Sequence, residues 1–166
     1  MISLLHQREI EAKVLAPLVR AFAAEVGMDR AKEILAEAIR GLAKQAGCNA
    51  AQSAGGTTLA HLKPVVERWR SGGALELTIL RDEPEAFEFN VTRCQFAEMY
   101  RRLGLEEFGA ILSCNRDGAM IEGFNPAIEF TRTQTILGGR AIAIFAIASQ
   151  VGKLARIGYT PIVSLM

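Results

Sequence analysis

The hydrophobic period of this chain switches twice, which restricts it to folds that mix helices with a sheet. Over residues 8–26 apolar side chains (Ile10, Val14, Leu15, Leu18, Val19, Phe22) recur at three- and four-residue steps, with Glu9, Lys13 and Arg20 between them. That spacing predicts an amphipathic helix, which Pro17 kinks or splits. Gly27 reads as its stop and Asp29 as the N-cap of a second helix with a buried stripe of Ile34, Leu35, Ala38, Ile39 and Leu42, ended by Gly47. Residues 49–58 read as a loop, 59–70 as a short helix broken near Pro64, and 71–73 as a turn. The period then drops to two. Leu75, Leu77 and Ile79, then Phe87, Phe89 and Val91 beyond a turn at Asp82-Glu83-Pro84, alternate with polar residues and predict an antiparallel hairpin. Helical spacing returns with Phe96, Met99, Tyr100 and Leu103, continues in a short piece over 105–112, and gives way to a turn over 123–126. Ile128 and Phe130 open a further strand carrying Thr131, Arg132, Thr133, Gln134 and Thr135. The expected class is α+β, with N-terminal helices packed on an antiparallel sheet. Residues 1–166 read as a single domain: a mainly helical half (1–70), a sheet with inserted helices (71–137) and an apolar tail (138–166).

Charge narrows the partners. With 19 basic and 18 acidic residues the net charge is +1, and no Lys/Arg run supplies a local field, so nucleic acid is not an expected partner. No apolar stretch approaches the roughly 20 residues of a spanning helix, and no secretory apolar region follows Met1, so no membrane contact is expected. Three cysteines are an odd number without scaffold spacing, which points to a reducing cytoplasm. A small molecule remains as the expected partner.

Residues 90–135 concentrate the reactive side chains. Cys94 closes a strand and opens a helix, where unpaired N–H groups and adjacent Arg93 favour a thiolate; it reads equally as a buried space-filler. Cys114 is followed by Asn115 (oxyanion donor or orienting amide), Arg116 (carboxylate binder) and Asp117 (general base, or cap of the next turn). Arg132 with Thr131, Thr133 and Thr135 forms either one wall of an anion pocket or a solvated edge strand. His6, His61 and Cys48 receive no role.

These motifs, N-V-T-R-C-Q-F-A-E-M-Y, L-S-C-N-R-D, E-G-F-N-P and T-R-T-Q-T-I, together with G-G-T-T-L-A-H-L and W-R-S-G-G-A-L-E upstream, resemble the L-2-amino-thiazoline-4-carboxylic acid hydrolase family over about residues 8–137. The resemblance implies a hydrolase that opens a small cyclic amidine at a C–N bond, yielding an N-carbamoyl cysteine. Catalysis would fall to Cys114, Asp117, Asn115 and Cys94, and substrate binding to Arg116, Arg132, Arg93 and Thr133. The order of elements is also distantly similar to vinyl reductase domains, whose cysteines can hold zinc. That makes Cys94 and Cys114 the candidate metal ligands, and a small-molecule or metal-binding module without turnover the alternative function.

The family pattern continues with Glu-Gly, a spacer and His-Cys-Asp-Phe-Arg-Tyr, whereas this chain reads Gly138-Gly139-Arg140-Ala141-Ile142-Ala143-Ile144-Phe145-Ala146-Ile147 and contains no acid after Glu129. Ala-Ile-Ala-Ile-Phe-Ala-Ile can be coded GCC-ATT-GCG-ATT-TTC-GCT-ATC. The same letters regrouped one step back read CAT-TGC-GAT-TTT-CGC-TAT, which is the missing motif. A nucleotide lost near Gly138 is therefore expected, and with it impaired activity. Ile142, Ile144, Phe145, Ile147, Val151, Leu154 and Ile157 should pack into the core or against another copy, giving a homo-oligomer.

Overall fold

The structure, a computed structural model, describes residues 2–149. Two long helices, α1 (Leu4–Val26) and α2 (Met28–Ala54), form a hairpin through Gly27, whose φ of 84° suits glycine. Helix α1 runs through Pro17 without splitting. Pro17 and Lys13 both lie on the exposed side, so the carbonyl that loses its amide partner faces water.

The face that α1 buries differs from the sequence expectation. Ala12, Ala16 and Val19 are buried, while Ile10, Val14, Leu18, Phe22 and Val26 stand outward, Phe22 being 64% exposed. Helix α2 likewise buries Ala31, Leu35, Ile39, Ala43 and Gly47 and exposes Ile34 and Leu42. Small residues on the inner rows let helix axes approach closely, and this close approach selects the buried face over side-chain size.

Gly47 does not end α2. It is the crossing point with α6 (Asn115–Phe124): a Cβ at Gly47 would lie 2.0 Å from the Met120 carbonyl oxygen. One at Gly123 would lie 2.0 Å from the Lys44 carbonyl oxygen. The Cys48 thiol donates to the Gly123 carbonyl at 3.2 Å beside this contact. The helix stops at Gly55 in the left-handed region, φ 67°. Helix α3 (Leu59–Glu67) then continues through Pro64 into a 3₁₀ segment, Arg68–Gly73.

Strands β1 (Leu75–Glu83) and β2 (Ala86–Cys94) form the expected antiparallel hairpin. Bulges in β1 at Glu76/Leu77 and Ile79/Arg81 break its alternation and leave Ile79 41% exposed. Helix α4 (Gln95–Arg102) follows at once. Next, α5 (Glu106–Gly109), a π-helical turn (Ala110–Cys114) and α6 run on without a break, where the sequence suggested a helix ending near Leu112. Strand β3 (Glu129–Gln134) and strand β4 (Ala143–Ala148) complete an antiparallel sheet of order β1-β2-β4-β3.

The apolar segment after Gly139 thus forms one of the two inner strands of the sheet. Ala143, Phe145 and Ile147 face the core, and Phe145 stacks on Phe89 at 4.9 Å, with Phe87 and Phe130 against the pair. Of the tail residues expected to seek the core or a partner, Ile142, Ile144, Phe145 and Ile147 lie in or beside this strand; Val151, Leu154 and Ile157 lie outside the described residues. One core packs α2, α3 and α6 on the sheet; the other packs α1, α2 and α4 around Tyr100 and Phe108. Leu75 and Cys94 touch both. Among the described residues no helix is long and apolar enough to cross a membrane.

Candidate functional site

A cavity of about 440 Å³ lies between the sheet and the helices, where the two cores meet. Most of its wall is apolar, from Val65, Trp69, Val91, Met120 and Phe145. The polar residues on the wall are Gln7, Arg8, Arg68, Cys94, Ser113, Cys114, Arg116, Asp117 and Thr135. That composition is typical of small-molecule sites.

The π-helical turn ends on Cys114, so the next residues enter α6 with a shifted register; such turns recur at functional sites. Asp117, in the first turn of α6, faces the cavity and accepts a hydrogen bond from Arg132 Nη1 at 2.6 Å. The same nitrogen donates to the Cys114 carbonyl at 2.6 Å, tying β3 to the start of α6. Burial pushes the Asp117 carboxyl from its ordinary 3.8 up to about 7, against the pull of the Arg132 guanidinium. It therefore exchanges its proton near neutrality.

The thiols behave differently. Cys94 caps α4, and the backbone N–H groups of Phe96 and Ala97 do favour its thiolate, as the sequence suggested, but burial is larger and raises its pKa. Burial, reinforced by the Asp117 carboxylate, pushes the Cys114 thiol up to about 12. Both sulfurs are thiols at neutral pH, and the expected activated thiolate is absent. All three cysteines are free.

Other candidates lie elsewhere. Arg93 is on the surface, paired with Glu98 at 2.7 Å and Glu76 at 3.3 Å, so it neither reaches the cavity nor tunes Cys94. The Asn115 amide donates to the Ala36 carbonyl at 2.9 Å and joins α6 to α2, and Asn115 does not line the cavity. Thr133 is exposed at a bulge on β3: strand alternation puts Thr131 and Thr133 on the face opposite Arg132. Arg132 itself stands behind Asp117 rather than on the wall. Arg116 lines the cavity, its Nε donating to the Leu112 carbonyl at 2.7 Å and its Nη2 to Glu11 at 3.0 Å.

The sequence reading missed Arg8, Glu11, Ser113 and Trp69. Arg8 and Glu11 sit on α1, far from the reactive block in sequence, and their i,i+3 spacing alone reads as a surface ion pair. Ser113 shares its hydroxyl with Tyr100 at 3.0 Å. Among the described residues no three Cys, His, Asp or Glu side chains cluster closely enough to hold a metal ion. Cys94 and Cys114, with no third such ligand clustered beside them among the described residues, fall short of the zinc site that the fold analogy suggested.

Helices on an antiparallel sheet, closing over a mostly apolar cavity with one titratable carboxyl, define an α+β domain built around that cavity. The chain belongs to the L-2-amino-thiazoline-4-carboxylic acid hydrolase family, whose model matches residues 7–142. No curated protein matches it. Among solved structures it is similar to the phenol-responsive sensory domain of the transcription activator PoxR, crystallised with phenol. The TM-score is 0.51 and the identity 14%, over 90% of this chain and 82% of that one. At that identity the likeness shows the fold alone.

Proposed function

We propose that the cavity hydrolyses a small cyclic amidine of the 2-amino-thiazoline-4-carboxylate kind, with Asp117 moving the protons. The observation that carries this is the placement of Asp117: on the cavity wall, oriented by Arg132 at 2.6 Å, in a family named for that reaction. In the ionised form its carboxylate takes a proton from a water that adds to the amidine carbon. In the protonated form it returns that proton to the departing sulfur, while the second water hydrogen passes from the new hydroxyl to the ring nitrogen as the carbonyl forms. An N-carbamoyl cysteine keeps both nitrogens on the attacked carbon, so the bond that breaks on the way to it is carbon–sulfur, not carbon–nitrogen. Cys114, a thiol up to about 12, serves as wall rather than nucleophile. Three free cysteines fit a reducing cytoplasm as the place of action.

We also propose that the gene has lost a nucleotide near Gly138 and that this chain is impaired for that reason. The family match ends at residue 142, shortly after the departure that begins at Gly138. The regrouped codons put cysteine at position 143, aspartate at 144 and arginine at 146. Ala143 lines the cavity with Cys94 and Cys114. Ile144 lies across from Asn90, whose buried Oδ1 has no hydrogen-bond partner among the described residues, and Ala146 lies across from Glu88. A polar reading of β4 would thus meet polar partners on β2. Codons for residues 142–147 that cannot regroup into Cys-Asp-Phe-Arg end this idea.

The second reading is a binding module without turnover. The protonated thiols and apolar wall favour it, as does the likeness in fold to a sensory domain solved with phenol. Chromatography of N-carbamoyl cysteine formed from 2-amino-thiazoline-4-carboxylate separates the two. The frame-restored chain should turn over faster than the present one, and Asp117→Asn should abolish both activities. Tight retention of the thiazoline without product in either chain selects the module.

A further inference from the structure

We propose that Arg8 and Arg116 form an anion-binding corner of the cavity that takes the carboxylate of a small, otherwise apolar ring compound; this deepens the hydrolase reading and rests on it for the choice of probe. Arg8 comes from α1 and Arg116 from α6, and both side chains line the cavity. Glu11 holds them together. Its two oxygens accept from Arg8 Nη1 at 2.7 and 2.6 Å, and one of them accepts from Arg116 Nη2 at 3.0 Å. Arg116 Nε is fixed on the Leu112 carbonyl. The two guanidinium side chains are only 14% and 15% exposed.

Two cations share one carboxylate, so this corner carries one positive charge in excess. Neighbouring acids do not cancel it: Asp117 is paired with Arg132, and Glu9 with Lys13 and Arg102. An excess cation against an apolar wall is poorly solvated, and an anion delivered there regains charge-assisted hydrogen bonds. Donor capacity remains for it: no described residue accepts from Arg8 Nη2 or Arg116 Nη1 in a hydrogen bond. Arg132 lies off the wall with its Nη1 shared between Asp117 and the Cys114 carbonyl, and Arg68, which also lines the cavity, is solvent-exposed and stands apart from this pair. The apolar part of the wall, with Trp69, Val65 and Met120, suits the body of a small ring.

Trp69 is the single tryptophan and faces the cavity, so its fluorescence reads binding without turnover. Titration with 2-amino-thiazoline-4-carboxylate and with 2-amino-thiazoline, which lacks the carboxylate, should show the acid bound about tenfold or more tightly. Arg8→Gln should bring the two within about twofold of each other, with an unchanged circular-dichroism melt, and Arg8→Lys should keep part of the preference. Arg40→Gln, on the exposed side of α2, should keep all of it. Equal binding of the two probes, no binding of the acid, or a preference that survives Arg8→Gln overturns the proposal. Discrimination with no ring opening by either this chain or the frame-restored one would fail the hydrolase reading and leave the anion corner standing. Ring opening whose KM ignores Arg8→Gln would do the reverse.

Discussion

Replacing Asp117 by Asn should make the protein more stable near neutral pH, although the carboxyl contacts an arginine. The Asp117 side chain is about one-fifth accessible, and what is exposed faces the cavity rather than bulk water. Burial outweighs Arg132 and lifts the carboxyl from 3.8 to about 7. At about 1.4 kcal/mol per tenfold, that displacement gives a ceiling of about 4 kcal/mol, and partial access from the cavity brings the expectation to about 2–4 kcal/mol. Between pH 4 and 7 the folded carboxyl keeps a proton that the unfolded one has released. Stability from this group is therefore full below pH 4, falls through that window, and levels off above 7. Asn mimics the neutral acid at every pH. Urea midpoints of the two proteins, taken at unit steps from pH 4 to 8, should lie close together at pH 4 and separate progressively in favour of Asn up to pH 7. Parallel profiles, or an Asn variant that loses ground as pH rises, would make Asp117 an ordinary carboxylate stabilised by its ion pair, and its role as proton carrier would fall with it.

Gly47→Ala should destabilise by about 1–3 kcal/mol or more, because its methyl meets the Met120 carbonyl; chemical denaturation reads this directly, and an unchanged midpoint would place the α2–α6 crossing elsewhere. Cys94 and Cys114 should alkylate with iodoacetamide far more slowly at pH 7.5 than in the denatured chain, their thiols being raised by burial; rapid labelling by mass spectrometry would restore a thiolate mechanism. Phe22→Ser should change stability by no more than about 0.5 kcal/mol, whereas Phe89→Ala, in the aromatic stack, should cost about 3–5 kcal/mol, both read from urea midpoints.

The α+β class and the β1–β2 hairpin were legible because period two over Phe87, Phe89 and Val91 has only one local solution. The inward face of α1 was not. Two rows of that helix are apolar, the large one of Ile10, Val14, Leu18 and Phe22 and the small one of Ala12, Ala16 and Val19, and periodicity cannot rank them. Close axis approach does, and that is decided by α2. Gly47 misled for a related reason: as a local signal glycine marks a helix stop, but here its missing Cβ serves a contact with a residue far along the chain. At the site, Cys114, Asp117 and Arg116 were legible as a dense polar run, while Arg8 and Glu11 were not, since only the fold brings α1 against α6. The direction of the thiol shifts also escaped local reading. A helix N-terminus acts over one turn, whereas burial integrates over everything packed around the sulfur.

Strand β4 unites these points with the proposed change of frame. In the present reading and the regrouped one, position 145 is phenylalanine, so the stack of Phe145 on Phe89 is common to both. The flanking Ile and Ala side chains are small or β-branched enough to pair with β2 and β3 on either face, which allows an out-of-frame segment to complete the sheet. What the present frame cannot supply is polarity. Ala143 offers a methyl group to a cavity already holding two thiols, Ile144 stands opposite the Asn90 side chain, and Ala146 opposite Glu88. Under the proposed change of frame, a fold maintained by apolar pairing survives, while a site that draws on the charged side chains of the regrouped strand is depleted.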